Sequence, residues 1–361
     1  MRLTRLIKFT IKVSFIVGIM LSNIAFSKDF IMNDPLLTEH INENIINGNY
    51  NSIIIASIDD NATNIHTFGE MIQGSDNKPN IDTFFEMSSI SKTFLGSLVG
   101  VLVERGQIKL SDPINNYLPK NVKISSFNDK EITILNLITH FSGLPYMPED
   151  YDVENISQYS IDDLWNSINN FKPSREAGEK WEYSTFGAGL LAQALAYHFD
   201  TNYQAMIEEE ILTPLNMTQT YLTLPEDKKH LFAQGHLPGN IQTSALVNHG
   251  ALYAGGSMIT TTRDMIKYIK AHMGLVKSEI SDGLMLTHPL YTTNDNMGLA
   301  WENTPDSNNR NHYGTGGGHR AYIGFNKNGN KGVVAFTNTK FGIIDIGHRA
   351  LNPNHPLKEN D

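Results

Sequence analysis

The sequence predicts an α/β fold of the α+β kind, in which an antiparallel sheet flanked by helices is interrupted by an inserted, mainly helical domain. Three observations predict it: a β-hairpin pattern early in the chain, helical periodicity through the middle, and a return to strand patterns near the C-terminal end. Strands, then helices, then strands is the order expected of a sheet domain that carries an insertion. Residues 28–108 and 286–361 are accordingly assigned to the sheet domain and 109–285 to the helical one.

The hairpin rests on Ser52 to Ile58 and Asn64 to Phe68, two β-rich apolar runs around an Asp59-Asp60-Asn61 turn. A polar stretch from Gln73 to Asn80 leads into Phe84 to Met87 and then a helix of about 15 residues stopped by Gly106. Phe94, Leu95, Leu98, Val99, Val101 and Leu102 surround that helix, with small residues between them. A helix apolar nearly all round belongs at the centre of the protein. Further helices are expected near 134–139, 161–168, 186–198, 203–212 and 262–273, the last with a Thr261 cap, Asp264 three residues on, and Gly274 as its stop. Strands are expected at 298–301, 321–325 and 333–337.

A chain of 361 residues can bury a large core as one big domain or two intertwined ones. With 40% hydrophobic and 18% charged residues, disordered, collagen-like and coiled-coil classes are excluded. Arg2, Arg5, Lys8 and Lys12 precede an apolar run from Val13 to Ala25 that ends in Ala25-Phe26-Ser27, the layout of a cleaved signal peptide over residues 1–27. The run is shorter than a membrane span and is broken by Ser14, Ser22 and Asn23. A periplasmic or secreted protein with no stable membrane anchor is expected. Cleavage removes four basic residues and no acidic one, leaving 24 against 38 and a net charge of −14. Such a surface repels nucleic acid and anionic lipid. With no cysteine, a thiol nucleophile, a zinc-thiolate site and a disulfide are excluded.

SxxK occurs twice, at Ser75 to Lys78 and at Ser89 to Lys92. The first copy lies in a polar loop and is read as solvated. The second sits where a strand runs into the buried helix, and positions i and i+3 share a helix face, so Ser89 and Lys92 can touch. The same helix start places backbone N–H groups beside any developing oxyanion. The plain alternative is that Ser89 is an N-cap.

Two more segments turn the balance toward chemistry: Trp181-Glu182-Tyr183-Ser184-Thr185, which opens a second helix, and His312-Tyr313-Gly314, which precedes a Gly-rich run. Together they resemble the SxxK, YxN and K/HxG motifs of penicillin-binding proteins and serine β-lactamases. VERGQIKLSDPINNYLP, LITHFSGLP, EAGEKWEYSTFGAGLL, LTPLNMTQT, YAGGSMITTTRDM, MGLAW and YGTGGGHRAYIGF also resemble landmarks of the class C β-lactamase and DD-carboxypeptidase family, in family order. The resemblance implies a β-lactamase/transpeptidase-like fold, Ser89 as nucleophile, Lys92 and Tyr183 as its catalytic partners, and an oxyanion hole formed by the N–H groups of Ser89 and Thr315. Thr185, His312, Gly314 and Thr315 would bind or tune the substrate, with Gly316 to Gly318 letting it lie against the strand.

A serine hydroxyl needs a base, and neither Lys nor Tyr is one at its free pKa. Placed together, the Lys92 ammonium is expected to favour a Tyr183 phenolate, while burial disfavours the ammonium. Three departures bear on substrate. Thr185 replaces an Asn, His312 stands where class C β-lactamases have Lys and offers a weaker carboxylate anchor, and Tyr313 replaces a Thr, adding a ring to the site. No metal or cofactor is expected: GTGGG lacks a following GK[ST], and His230 and His236 lack a partner in register. His140 and His249 are read as structural hydrogen-bonders, and the absence of GxSxG argues against an α/β-hydrolase. The expected substrate is a peptide-like or β-lactam small molecule, with peptidoglycan as its source. Three functions remain open: a DD-carboxypeptidase/endopeptidase-like or D-amino-acid peptide hydrolase, a β-lactamase or promiscuous esterase, and a weakly active penicillin-binding or scaffold protein.

Overall fold

The computed structural model describes residues 29–358 apart from 73, 153, 238, 240, 244–247, 293–296, 305–308 and 340. The signal-peptide segment lies outside the described residues. Eleven strands are described: β1 (Ser52–Asp59), β2 (Thr63–Gly69), β3 (Phe84–Glu86), β4 (Thr220–Tyr221), β5 (His236–Leu237), β6 (Ile241–Gln242), β7 (Ile259–Thr261), β8 (Glu302–Thr304), β9 (Asn309–Gly316), β10 (His319–Phe325) and β11 (Lys331–Thr337). The described α-helices are α1 (Pro35–Ile46), α2 (Ser91–Glu104), α3 (Ile134–Ile138), α4 (Ile161–Asn170), α5 (Thr185–His198), α6 (Tyr203–Ile207), α7 (Thr262–His272), α8 (Ser281–Met285) and α9 (Ile344–Leu351).

The main sheet is six-stranded and antiparallel, in the order β2-β1-β11-β10-β9-β8. Strand periodicity sends alternate residues of β1, β10 and β11 to opposite faces. Ile54, Ala56, Ile323, Val334 and Phe336 join one core with α2 and α7, whereas Ile53, Ile55, Tyr322, Val333 and Ala335 join a second with α1 and α9. Both faces are therefore covered, which explains why β1 reads as a nearly continuous apolar run. Although α7 falls within 109–285 in sequence, it packs on β11 and β1.

α2 runs through the middle of the molecule, with every residue from Ser91 to Leu102 buried. Its small residues are what permit this. A Cβ on Gly96 would lie 2.3 Å from Leu299 O, and one on Gly100 the same distance from Gly283 O. Tertiary backbone thus touches the helix directly. Thr261 caps α7 by accepting from the Asp264 N–H at 3.3 Å. The strand expected at 298–301 is not formed. Ala300 has φ +58°, outside the extended region, and the segment bends with Gly298 N–H donating to Trp301 O before β8 begins at Glu302.

Candidate active site

Ser89 is placed by a short turn. β3 ends at Glu86, Ser88 adopts φ +47°, and a 3₁₀ turn over Ser88–Ile90 leads into α2. The positive φ swings the chain so that Ser89 stands half-exposed at the helix start. α2 has Ile90 as its N-cap with no side-chain capping bond, so Ser89 is not spent as a cap. Its hydroxyl lies 3.3 Å from Lys92 Nζ and is hydrogen-bonded to Tyr183.

Lys92 is buried, with three partners around its amine: Ser89 Oγ at 3.3 Å, Thr185 Oγ1 at 3.2 Å and Gly255 O at 2.5 Å. Burial lowers its pKa to about 7, because the charged form has lost its hydration. Gly255 O can only accept, and Thr185 Oγ1 can accept as well. A neutral amine that donates to those two oxygens has its lone pair left for Ser89. Gly255 lies within the YAGGSM stretch, and its carbonyl is a partner that no side-chain pattern marks. It must be small, since a Cβ there would lie 2.5 Å from Thr185 Cγ2.

Tyr183 sits at the mouth of the second helix. Lys92 Nζ lies 4.7 Å from its ring centroid, over the ring. His140 holds both sides of this tyrosine: its carbonyl accepts from Glu182 N–H at 2.8 Å and its Nδ1 accepts from Ser184 N–H at 3.2 Å. The imidazole also packs 4.5 Å from the phenol ring. Burial pushes the Tyr183 phenol well above its ordinary range, with only the Ser89 bond opposing it. The phenolate expected from the charge of Lys92 is therefore not the resting form, because desolvation of an anion outweighs a cation that lies over the ring.

β9 alternates past the nucleophile. Cβ atoms on Gly314 and Gly316 would lie 2.0 Å from Met87 O and 2.1 Å from Ser88 Oγ, so these residues and His312 face the turn that carries Ser89. Tyr313 and Thr315 take the opposite face and are exposed. Tyr313 leaves the strand on the opposite face from His312, yet its ring centroid lies 6.2 Å from the His312 ring, at the exposed rim of the site. Gly316 makes room for Ser88, and a Cβ on Gly318 would lie 2.6 Å from His236 N. β8 pairs with β9 only from Asn309 to Asn311, so among the described residues the outer edge of 312–316 carries no strand partner.

Burial holds the imidazoles of His312, His249 and His140 neutral. His312 is buried, donates from Nδ1 to Tyr313 O at 2.9 Å, and has its pKa lowered to about 3 by burial and by the Lys92 charge. His249 is lowered to about 4 and His140 well below the ordinary range by the same two causes. Glu302 on β8 has its carboxyl raised to about 7 by burial. Two exposed rings flank Tyr183: Tyr146 with its centroid 6.1 Å away and Trp181 at 6.2 Å. The first SxxK copy is exposed, with Ser75 Oγ donating to Ile72 O at 2.5 Å.

A buried amine against a serine at the start of a central helix, with a tyrosine and a strand edge alongside, defines a class of fold and site that comparison places among known proteins. The sequence profile of the Beta-lactamase family matches residues 47–348, and the chain belongs to that family. A beta-lactamase from Pseudomonas fluorescens is 33% identical over 233 residues, covering 62% of this chain and 61% of the relative. The D-alanyl-D-alanine-carboxypeptidase/endopeptidase AmpH of Escherichia coli (strain K12) is 28% identical over 221 residues, covering 60% and 56%. The chain therefore matches about three-fifths of the length of these curated relatives. A class C beta-lactamase in complex with cefoxitin superposes with TM-score 0.77 at 24% identity, over 90% of this chain and 98% of that one. A beta-lactamase/D-alanine carboxypeptidase from Yersinia pestis gives TM-score 0.73 at 22% identity, over 84% and 93%. The mixed α/β fold with its antiparallel sheet is that of class C β-lactamases.

Proposed function

We propose that this protein is an exported serine hydrolase that forms an acyl-enzyme on Ser89, with a D-amino-acid-containing peptide as its substrate. The observation that carries the reading is the three-partner setting of Lys92, which leaves the lone pair of a neutral amine for the Ser89 proton. In the acylation step Ser89 Oγ attacks the scissile carbonyl carbon while Lys92 takes the hydroxyl proton. The bond to the leaving nitrogen then breaks as Tyr183 hands its phenol proton to that nitrogen. The new ammonium, over the Tyr183 ring, offsets the phenolate charge until the proton passes between them. Water releases the acyl group by the same groups in reverse. The N–H groups of Ser89 and Thr315 would hold the oxyanion.

The open edge of 312–316 suits an extended peptide-like substrate, which pairs with a strand edge through its own backbone. Neutral His312 favours an uncharged group over a free carboxylate at that end of the site, which suits an internal peptide bond better than a C-terminal one. The likeness to the P. fluorescens enzyme supports a second reading, β-lactam hydrolysis. Export rests on the N-terminal sequence; among the described residues no helix is long and apolar enough to cross a membrane.

Incubation with a fluorescent penicillin, followed by intact mass over time, separates these readings. A lasting adduct on Ser89 is expected for a peptidase, and rapid loss of the adduct marks a β-lactamase. Labelling by a fluorophosphonate ester but not by penicillin marks an esterase, and no labelling by either probe overturns the proposal.

A further inference from the structure

We infer that Glu86 and His319 form a buried clasp that sets the spacing between the backbone N–H groups of Ser89 and Thr315, making both positioning residues for acyl transfer. This rests on the reading of Ser89 as nucleophile given above.

The proton count follows from the partners. His319 Nε2 lies 2.8 Å from Ala233 O, and a carbonyl only accepts, so Nε2 carries a proton. Nδ1 faces Glu86 Oε2 at 3.4 Å, with the two side chains 2% and 5% exposed. At 3.4 Å the two atoms are in ion-pair range when the ring carries a proton on each nitrogen.

Position gives the pair its role. Glu86 ends β3 three residues before Ser89, and His319 opens β10 opposite Gly316, the residue after Thr315. The Cβ position of Gly316 lies 2.1 Å from Ser88 Oγ and 3.4 Å from Glu86 Oε2, so the carboxyl lies beneath the point where β9 meets the nucleophile turn. The ring cannot slide away. Phe85 and Phe232 pack on it at 6.2 and 5.2 Å, and a Cβ on Gly235 would come within 3.0 Å of His319 Cε1. Because β8 stops at the partner of Asn311, residues 312–316 are held laterally by β10 on one side and packed against the 86–88 segment. Glu86 and His319 join those two supports to each other.

The test measures kcat and KM for a chromogenic penicillin or ester, and inhibition by phenylboronic acid, which forms a tetrahedral adduct on a nucleophilic serine, for the full chain and for Glu86→Gln, Glu86→Asp and His319→Phe. Glu86→Gln should stay within about threefold of the parent, because its amide N–H can donate to the Nδ1 lone pair. Glu86→Asp withdraws the carboxyl by one methylene and His319→Phe removes both bonds. Each should lower kcat and weaken boronate inhibition together by about 10- to 100-fold, with KM within about threefold, as a displaced oxyanion donor does. Should His319→Phe not fold, the two Glu86 variants decide alone. Unchanged kcat and boronate affinity in Glu86→Asp overturns the clasp, as does a Glu86→Gln loss as large as that of Glu86→Asp. Penicillin or fluorophosphonate labelling of Ser89 in the parent distinguishes the two failures: no labelling sinks both readings, and labelling with unaltered variants sinks only the clasp.

Discussion

Lowering the pH from 8 to 6 should cut the acylation rate of Ser89 about tenfold, and the structure sets where the change falls. Lys92 is the only group in contact with the Ser89 hydroxyl whose pKa is brought near neutrality, to about 7, and the cause is burial. The base must be unprotonated to accept a proton. The competent fraction is therefore about 0.9 at pH 8 and about 0.1 at pH 6, a ratio near tenfold. Tyr183 adds no limb in this range, since its phenol is pushed well above ordinary values. The measurement is kcat/KM for a chromogenic penicillin or ester between pH 5.5 and 9, with each sample returned to pH 8 to confirm that activity recovers. A profile flat from 6 to 9 would refute the assignment of Lys92 as base. So would a single midpoint near 4, which would mark a carboxylate, or one above 9, which would mark an ordinary lysine or tyrosine.

Ser89→Ala should lose several orders of magnitude in acylation while its melting temperature stays near that of the parent, because the hydroxyl caps no backbone group; retained adduct formation in the intact mass would contradict this. Acid should destabilise the fold. His249, His288, His312 and His348 are held neutral by burial, with pKa lowered to about 4, 3, 3 and 4, so the unfolded chain takes up protons first as pH falls below its ordinary histidine value of about 6.5. Their contribution is intact above that value and is lost progressively toward the folded values, at about 2 kcal/mol each by pH 5, so urea midpoints at pH 7 and 5 should differ severalfold more than for a protein without buried histidines. His312→Lys places a second buried ammonium beside Lys92, and like charge should move the activity limb below pH 7; a limb that stays in place would show that position 312 does not act on Lys92. Gly316→Ala should lower both stability and kcat because its Cβ would lie 2.1 Å from Ser88 Oγ. Adding Ser88→Gly should restore both, since it removes that oxygen and relieves φ +47°, and double-mutant thermal melts check it.

Local pattern alone determined much of this protein. Ser52 to Ile58 against Asn64 to Phe68, the apolar surround of α2 and the Thr261 cap are short-range signals, set by side-chain periodicity and by bonds within one turn of chain. The family, too, could be read from residues, because SxxK, Tyr183 and His312-Tyr313-Gly314 come with landmarks along the whole chain. What pattern could not supply were quantities that depend on distant segments meeting. The third partner of Lys92 is the carbonyl of Gly255, 163 residues away, and a backbone oxygen leaves no mark on side-chain chemistry. The protonation states of Lys92 and Tyr183 depend on how much water the assembled core removes from each, so a pairing argued from free pKa values misplaced the tyrosine. That Gly316 and Gly318 must be small is a tertiary matter, because a Cβ at these positions would meet Ser88 and the 235–236 segment. Residues 298–301 looked like strand and form a bend, with Gly298 N–H donating to Trp301 O, Leu299 N–H to Thr287 O, and Ala300 at φ +58°. Sequence determined which residues could do chemistry, and tertiary structure decided their partners and charges, because burial and contact between segments far apart in the chain are properties of the folded whole.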